Sequence, residues 1–88
     1  MTPAARELFR LAILRVLDAN HSAYGITPPT IGVLVAEFGF GPRPDETQKE
    51  LDYLADKFFV SVVGKTISPE NRAWRITASG RDELAQRG

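Results

Sequence analysis

The chain has 88 residues, 43% of them hydrophobic and 25% charged, enough for one domain over residues 1–88 with one modest core and too few for two. Eleven basic and eleven acidic residues cancel, so the basic excess of a typical DNA-binding domain is missing. With no cysteine, disulfides, thiolate metal sites and a cysteine nucleophile are excluded.

Met1-Thr2-Pro3 lacks the basic start and apolar block of a signal peptide, and the apolar runs are far too short for a membrane span. A cytoplasmic protein without membrane contact is therefore expected. Thr2 followed by Pro3 reads as a helix start, an N-cap with proline at the first helical position. Ala5, Leu8, Phe9, Ala12, Ile13, Val16 and Leu17 recur at helical spacing and define a wide buried stripe to about Asn20. Leu11 and Leu14 fall among the polar residues of the other side. They are candidates for a self-association surface, with a covering loop as the alternative.

Asn20-His21-Ser22-Ala23 is loop-like, and Tyr24-Gly25-Ile26 fits a short first strand. A lone histidine beside Asn and Ser is ordinarily a solvated side chain, and without a second histidine or a cysteine no metal or other cofactor is expected. Thr27-Pro28-Pro29-Thr30 repeats the cap-then-proline signal and opens a second helix with Ile31, Leu34, Val35 and Phe38 inward. Gly39 suits a left-handed terminator. Gly39-Phe40-Gly41-Pro42-Arg43-Pro44 is then a turn; without a preceding strand or a Lys-Ser/Thr pair it is not a phosphate loop.

A third helix is expected from Pro44 or Asp45 to about Lys57, with Leu51, Leu54, Ala55 and Phe58 buried and Thr47 continuing that side one turn earlier. Its other side carries Asp45, Glu46, Lys49, Asp52 and Asp56, with Gln48 beside them. Residues 37–56 hold six acids against Arg43 and Lys49, a local charge of −4 balanced by +4 elsewhere. Residues 58–63 are β-rich, Ser68-Pro69-Glu70-Asn71 is a turn, and Arg72-Ala73-Trp74-Arg75-Ile76 returns as a second hairpin strand. Trp74 is expected to fill core with its indole N–H partnered, and Arg75 lies with Lys65 and Arg72 on or near the hairpin, or pairs with an acid of the third helix. Thr77 caps a closing helix to about Arg87, and Gly80 in its first turn lets that helix lie close to its neighbour.

Two stretches carry a resemblance. Leu51-Asp52-Tyr53-Leu54-Ala55-Asp56-Lys57-Phe58-Phe59-Val60 resembles a recognition helix running into a first wing strand. Ile76-Thr77-Ala78-Ser79-Gly80-Arg81 resembles the end of winged-helix DNA-binding domains of the PadR, MarR and ArsR kind. From Ile13-Leu14-Arg15-Val16-Leu17 through Asp52-Tyr53-Leu54-Ala55-Asp56 the chain is also similar to small winged-helix proteins of Mu-like prophages, a likeness that brings no activity with it. The resemblance implies a mainly α fold with a small β-sheet, a winged helix-turn-helix ordered helix, strand, helix, helix, strand, strand, helix.

It also implies a transcriptional regulator with double-stranded DNA as partner. The start of the third helix would enter the major groove, making Arg43, Thr47, Gln48 and Lys49 the contact candidates. Lys65 and Arg72 on the wing would touch the backbone, and a homodimer would match a palindromic site. The closing helix is too short for the long dimerising helix of many such regulators. No catalytic constellation is recognisable, so an enzyme is not expected. The rival reading is a winged helix used for protein interaction through the acidic helix 45–57, and neutral net charge favours it.

Overall fold

Helix α1 (Pro3–Ala19) is the element on which the others are laid. A computed structural model describes residues 1–64 and 71–87. Among these, α1 is followed by α2 (Pro28–Leu34) with a 3-10 turn over Val35–Phe38, α3 (Pro44–Asp56), strands β1 (Val60–Val63) and β2 (Ala73–Ile76), and α4 (Ala78–Arg87). The protein is thus mainly helical with a small antiparallel sheet.

Thr2 opens α1 as expected, its hydroxyl accepting from the Ala5 N–H at 3.1 Å. Phe9, Ala12, Ile13, Val16 and Leu17 are buried, and so is Leu14 at 2% exposure. Leu8, expected in the stripe, is instead 59% exposed. The reason is tertiary: α4 packs on α1, and Leu14 falls in the core cluster with Leu54, against which Phe59 and Leu84 pack. That neighbour turns the buried side of α1 toward Leu14 and leaves Leu8 in solvent.

Pro28 starts α2, but Thr27 does not cap it through its side chain; the hydroxyl lies 3.2 Å from that of Thr30 instead. Gly39 ends the following 3-10 turn in the left-handed region at φ 86, while Phe38 is exposed rather than inward. Phe40 takes the inward place and packs at a tilt against Phe9, ring centroids 5.4 Å apart. Ile31, Val35, Leu51, Leu54, Val60, Trp74 and Ile76 complete one core with the α1 stripe.

Helix α3 ends in a feature the apolar periodicity did not reveal. Phe58 N–H donates to Ala55 O at 2.9 Å and Phe59 N–H to Leu54 O at 3.0 Å, the paired bonds of a Schellman ending with Phe58 at the left-handed position. Its φ is 65, a conformation that costs a side-chain-bearing residue about 1 kcal/mol. Phe58, expected on the buried side, is therefore swung out to 77% exposure. Phe59 packs against the core in its stead.

Strands β1 and β2 pair antiparallel with Val60 opposite Ile76 and Val62 opposite Trp74. The expected first strand shrinks to one bridge, Ile26 with Trp74 on the other edge of β2, both N–H···O bonds 2.8 Å. Gly25 before it is left-handed at φ 72 and Pro28 after it begins α2, so only Ile26 and Thr27 are free to be extended. The hairpin turn expected at Ser68-Pro69-Glu70-Asn71 lies outside the described residues through Glu70.

The junction from sheet to α4 is tied by Thr77. Its hydroxyl accepts from the Gly80 N–H at 3.0 Å and donates to Phe58 O at 2.6 Å, while its N–H donates to Phe59 O at 3.0 Å. One residue thereby joins the segment between α3 and β1 to the first turn of α4. Thr77→Ala removes the cap and hands the Phe58 carbonyl to solvent, and should lower urea-unfolding stability by about 1 kcal/mol. Thr77→Ser retains both bonds and should stay within about 0.5 kcal/mol of the parent. Equal losses in the two variants would mean that the methyl group, not the hydroxyl, matters.

Candidate interaction surface

Thirteen residues of α3 sort into two sides. Thr47, Glu50, Leu51 and Leu54 are buried, and Asp45, Lys49, Asp52 and Asp56 are exposed. The outer side is thus three carboxylates to one ammonium. Glu46, expected among the outward acids, bends back to accept the Arg43 N–H at 2.9 Å, an acid capping its own helix start where the macrodipole favours it.

The residues expected to meet DNA are scattered in their surroundings. Thr47 is only 2% exposed, lying inward beneath α2, which removes it as a contact residue. The Gln48 amide donates one of its two N–H groups to Asp52 at 3.0 Å, which ties the side chain along the helix face. The Arg43 guanidinium stands 3.6 Å from Asp45 and 3.7 Å from Glu46, a well-solvated cation between two acids. Lys49 faces solvent, and Arg72 is half-buried; Lys65 lies outside the described residues. Arg75 is exposed on the side of β2 opposite Trp74 and Ile76, with no acid of α3 within ion-pair distance among the described residues. Trp74 is buried as expected, but its indole Nε1 has no hydrogen-bond partner among the described residues. Of the self-association candidates Leu11 and Leu14, Leu14 belongs to the core and only Leu11 keeps surface.

A buried ion pair was not foreseen. Arg10 of α1 reaches across to Glu50 of α3, Nε 3.2 Å and 3.4 Å from the two carboxylate oxygens and the second terminal nitrogen 3.1 Å from Oε1. Its other terminal nitrogen bonds Glu7 at 2.8 Å, and the guanidinium lies over the Tyr53 ring, 3.6 Å from the centroid. Burial alone would lower the Arg10 pKa, but the bond and charge of Glu50, helped by Glu7, outweigh it and hold the group above its ordinary value. The available signal was the helical position of Glu50, which lies on the same side of α3 as Thr47 and Leu54; a carboxylate there needs a cationic partner.

Two surface grooves flank α3. One, of about 360 Å³, lies between α1, α3 and α4 beside Leu8, Leu11 and Phe59. The other, of about 580 Å³, lies between α2 and the start of α3. Its walls are Pro28, Pro29 and Val33 on one side and Pro42 and Pro44 on the other, with Asp45 and Gln48 on the rim. Among the described residues no cluster of metal-ligating side chains occurs. No family model, no curated protein and no solved structure matches the chain.

Proposed function

We propose that this chain is a winged-helix-type domain acting as a protein-interaction module, with the outer face of α3 meeting a basic partner surface. The supporting observation is that face itself: within α3 Asp45, Asp52 and Asp56 point to solvent against Lys49, with the exposed cations Arg43 and Lys57 at the two ends of the helix. On duplex DNA each of these carboxylates would be brought toward phosphates of like charge, in a binding mode whose affinity comes largely from neutralising phosphates. Thr47 and Gln48, the neutral residues that would read bases, are turned inward or already bonded.

Duplex DNA binding by a transcriptional regulator is the second reading, and one observation favours it. The two-stranded sheet carries a single bridge from Ile26 on the free edge of β2, which supports the small sheet that the resemblance to winged-helix regulators implies. Lys49, Arg72 and Arg75 also stand outside the ion pairs formed among the described residues and would be its backbone contacts. This reading expects non-specific affinity of about 1–100 µM, lost in a Lys65→Glu, Arg72→Glu variant.

A mobility shift on random duplex DNA at low salt separates the two. The interaction module gives no shift, and instead binds an oligolysine peptide whose affinity falls when Asp45, Asp52 and Asp56 are changed together to Asn. A DNA shift that weakens steeply with salt, and is lost on Lys49→Glu with Arg75→Glu, would establish the second reading in its place.

A further inference from the structure

We propose that the groove between α2 and the start of α3 is a docking site for the apolar side chains of a basic amphipathic segment of a partner protein. This rests on the interaction reading above and adds a place and a chemistry to it. The groove has a volume of about 580 Å³, within the range of sites that hold a ligand. Four of its wall residues are prolines, Pro28, Pro29, Pro42 and Pro44. Their fixed φ leaves little backbone freedom to lose when something binds. Val33 completes the wall and is 73% exposed, a branched apolar side chain on α2 that the core does not cover.

Charge selects the occupant. Asp45 and Gln48 stand on the rim, Gln48 is bonded to Asp52, and Asp56 follows one turn later on the same exposed side. From Asp45 to Asp56 the acids run about 16 Å along α3 at the helical rise. Arg43, Lys49 and Lys57 are the opposing cations; Arg43 is already flanked by Asp45 and Glu46, and the Lys57 ammonium leans toward the Tyr53 ring, 5.7 Å from its centroid. A segment laid along this edge with apolar side chains in the groove would present its lysines or arginines to Asp45, Asp52 and Asp56. An acidic segment would meet repulsion at the same places, and an apolar one would leave the carboxylates unpartnered.

The test uses the full chain and three synthetic 16-residue peptides: leucine and lysine at helical spacing, the same peptide with glutamate for lysine, and oligolysine. Backbone amide shifts and affinities are read by NMR titration. The leucine–lysine peptide should give saturable shifts at Gly32, Val33, Asp45, Thr47 and Gln48, and bind at least tenfold more tightly than either other peptide. Val33→Asp should weaken it at least tenfold. Because that variant adds a negative charge, which by itself attracts lysine, a loss isolates the apolar contact. The exposed position of Val33 leaves folding intact, checked by an unchanged thermal melt.

If oligolysine binds as tightly as the leucine–lysine peptide and Val33→Asp changes nothing, the groove is not the site, while the acidic-face reading stands. Shifts centred on Leu8, Leu11 and Phe59 would move docking to the other groove and overturn the inference. If neither lysine peptide binds, both the inference and the interaction reading fail.

Discussion

Gly80→Ala should destabilise the protein by about 3–4 kcal/mol, more than overpacking usually costs. A Cβ at this position would stand 2.1 Å from Phe59 O and 2.7 Å from Ile76 Cγ1. The first of these is backbone and cannot rotate away, and the same oxygen accepts the Thr77 N–H at 3.0 Å. To make room, α4 must lift from the sheet, breaking the Thr77 junction and loosening α4 on α1. For a chain of this length the loss corresponds to a fall in Tm of about 15 °C or more, and to a large share of a total stability of roughly 4–13 kcal/mol. Gly41→Ala is the control: nothing lies within 4 Å of its Cβ position, and the change should stay within about 0.5 kcal/mol. A Gly80→Ala melt within about 3 °C of the parent would show that α4 does not sit against Phe59 as described.

The ease of reading Thr77 and Gly80 from sequence, compared with Phe58 and Glu50, follows from the range of the interactions that place them. A cap acts over three residues, so the order Thr77-Ala78-Ser79-Gly80 already contains its geometry, and a glycine in a first helical turn signals close packing even though the carbonyl it lies against, that of Phe59, is distant in sequence. The same holds for Thr2 with Pro3 and for Gly39, where local chemistry decided the outcome. Phe58 continued the apolar spacing of α3, and only the competition between another helical turn and entry into β1 forced it into the left-handed position. Leu8 and Leu14 exchanged roles because burial on α1 depends on where α4 lands, a contact more than sixty residues away in sequence. The first strand was shortened by Gly25 and Pro28 on either side of it, two residues whose meaning as strand limits appears once the bridge partner is known. For the candidate surface, sequence supplied the acidic balance of α3 and the residue types. It did not supply the inward turn of Thr47 or the groove walls, because those depend on the angle at which α2 meets α3.

The Arg10–Glu50 pair should behave asymmetrically when taken apart. Glu50 is 4% exposed, and its side chain has no partner but Arg10 among the described residues. Arg10→Met therefore leaves a buried carboxylate alone and should cost about 3 kcal/mol at pH 7, the lower end of the range for breaking a buried pair. Glu50→Leu leaves the guanidinium with Glu7 and the Tyr53 ring, from which its long stem can reach water, and should cost only about 1 kcal/mol. The double variant replaces both charges by apolar volume and should return to within about 1 kcal/mol of the parent. Its recovery would show strong coupling between sites forty residues apart in sequence.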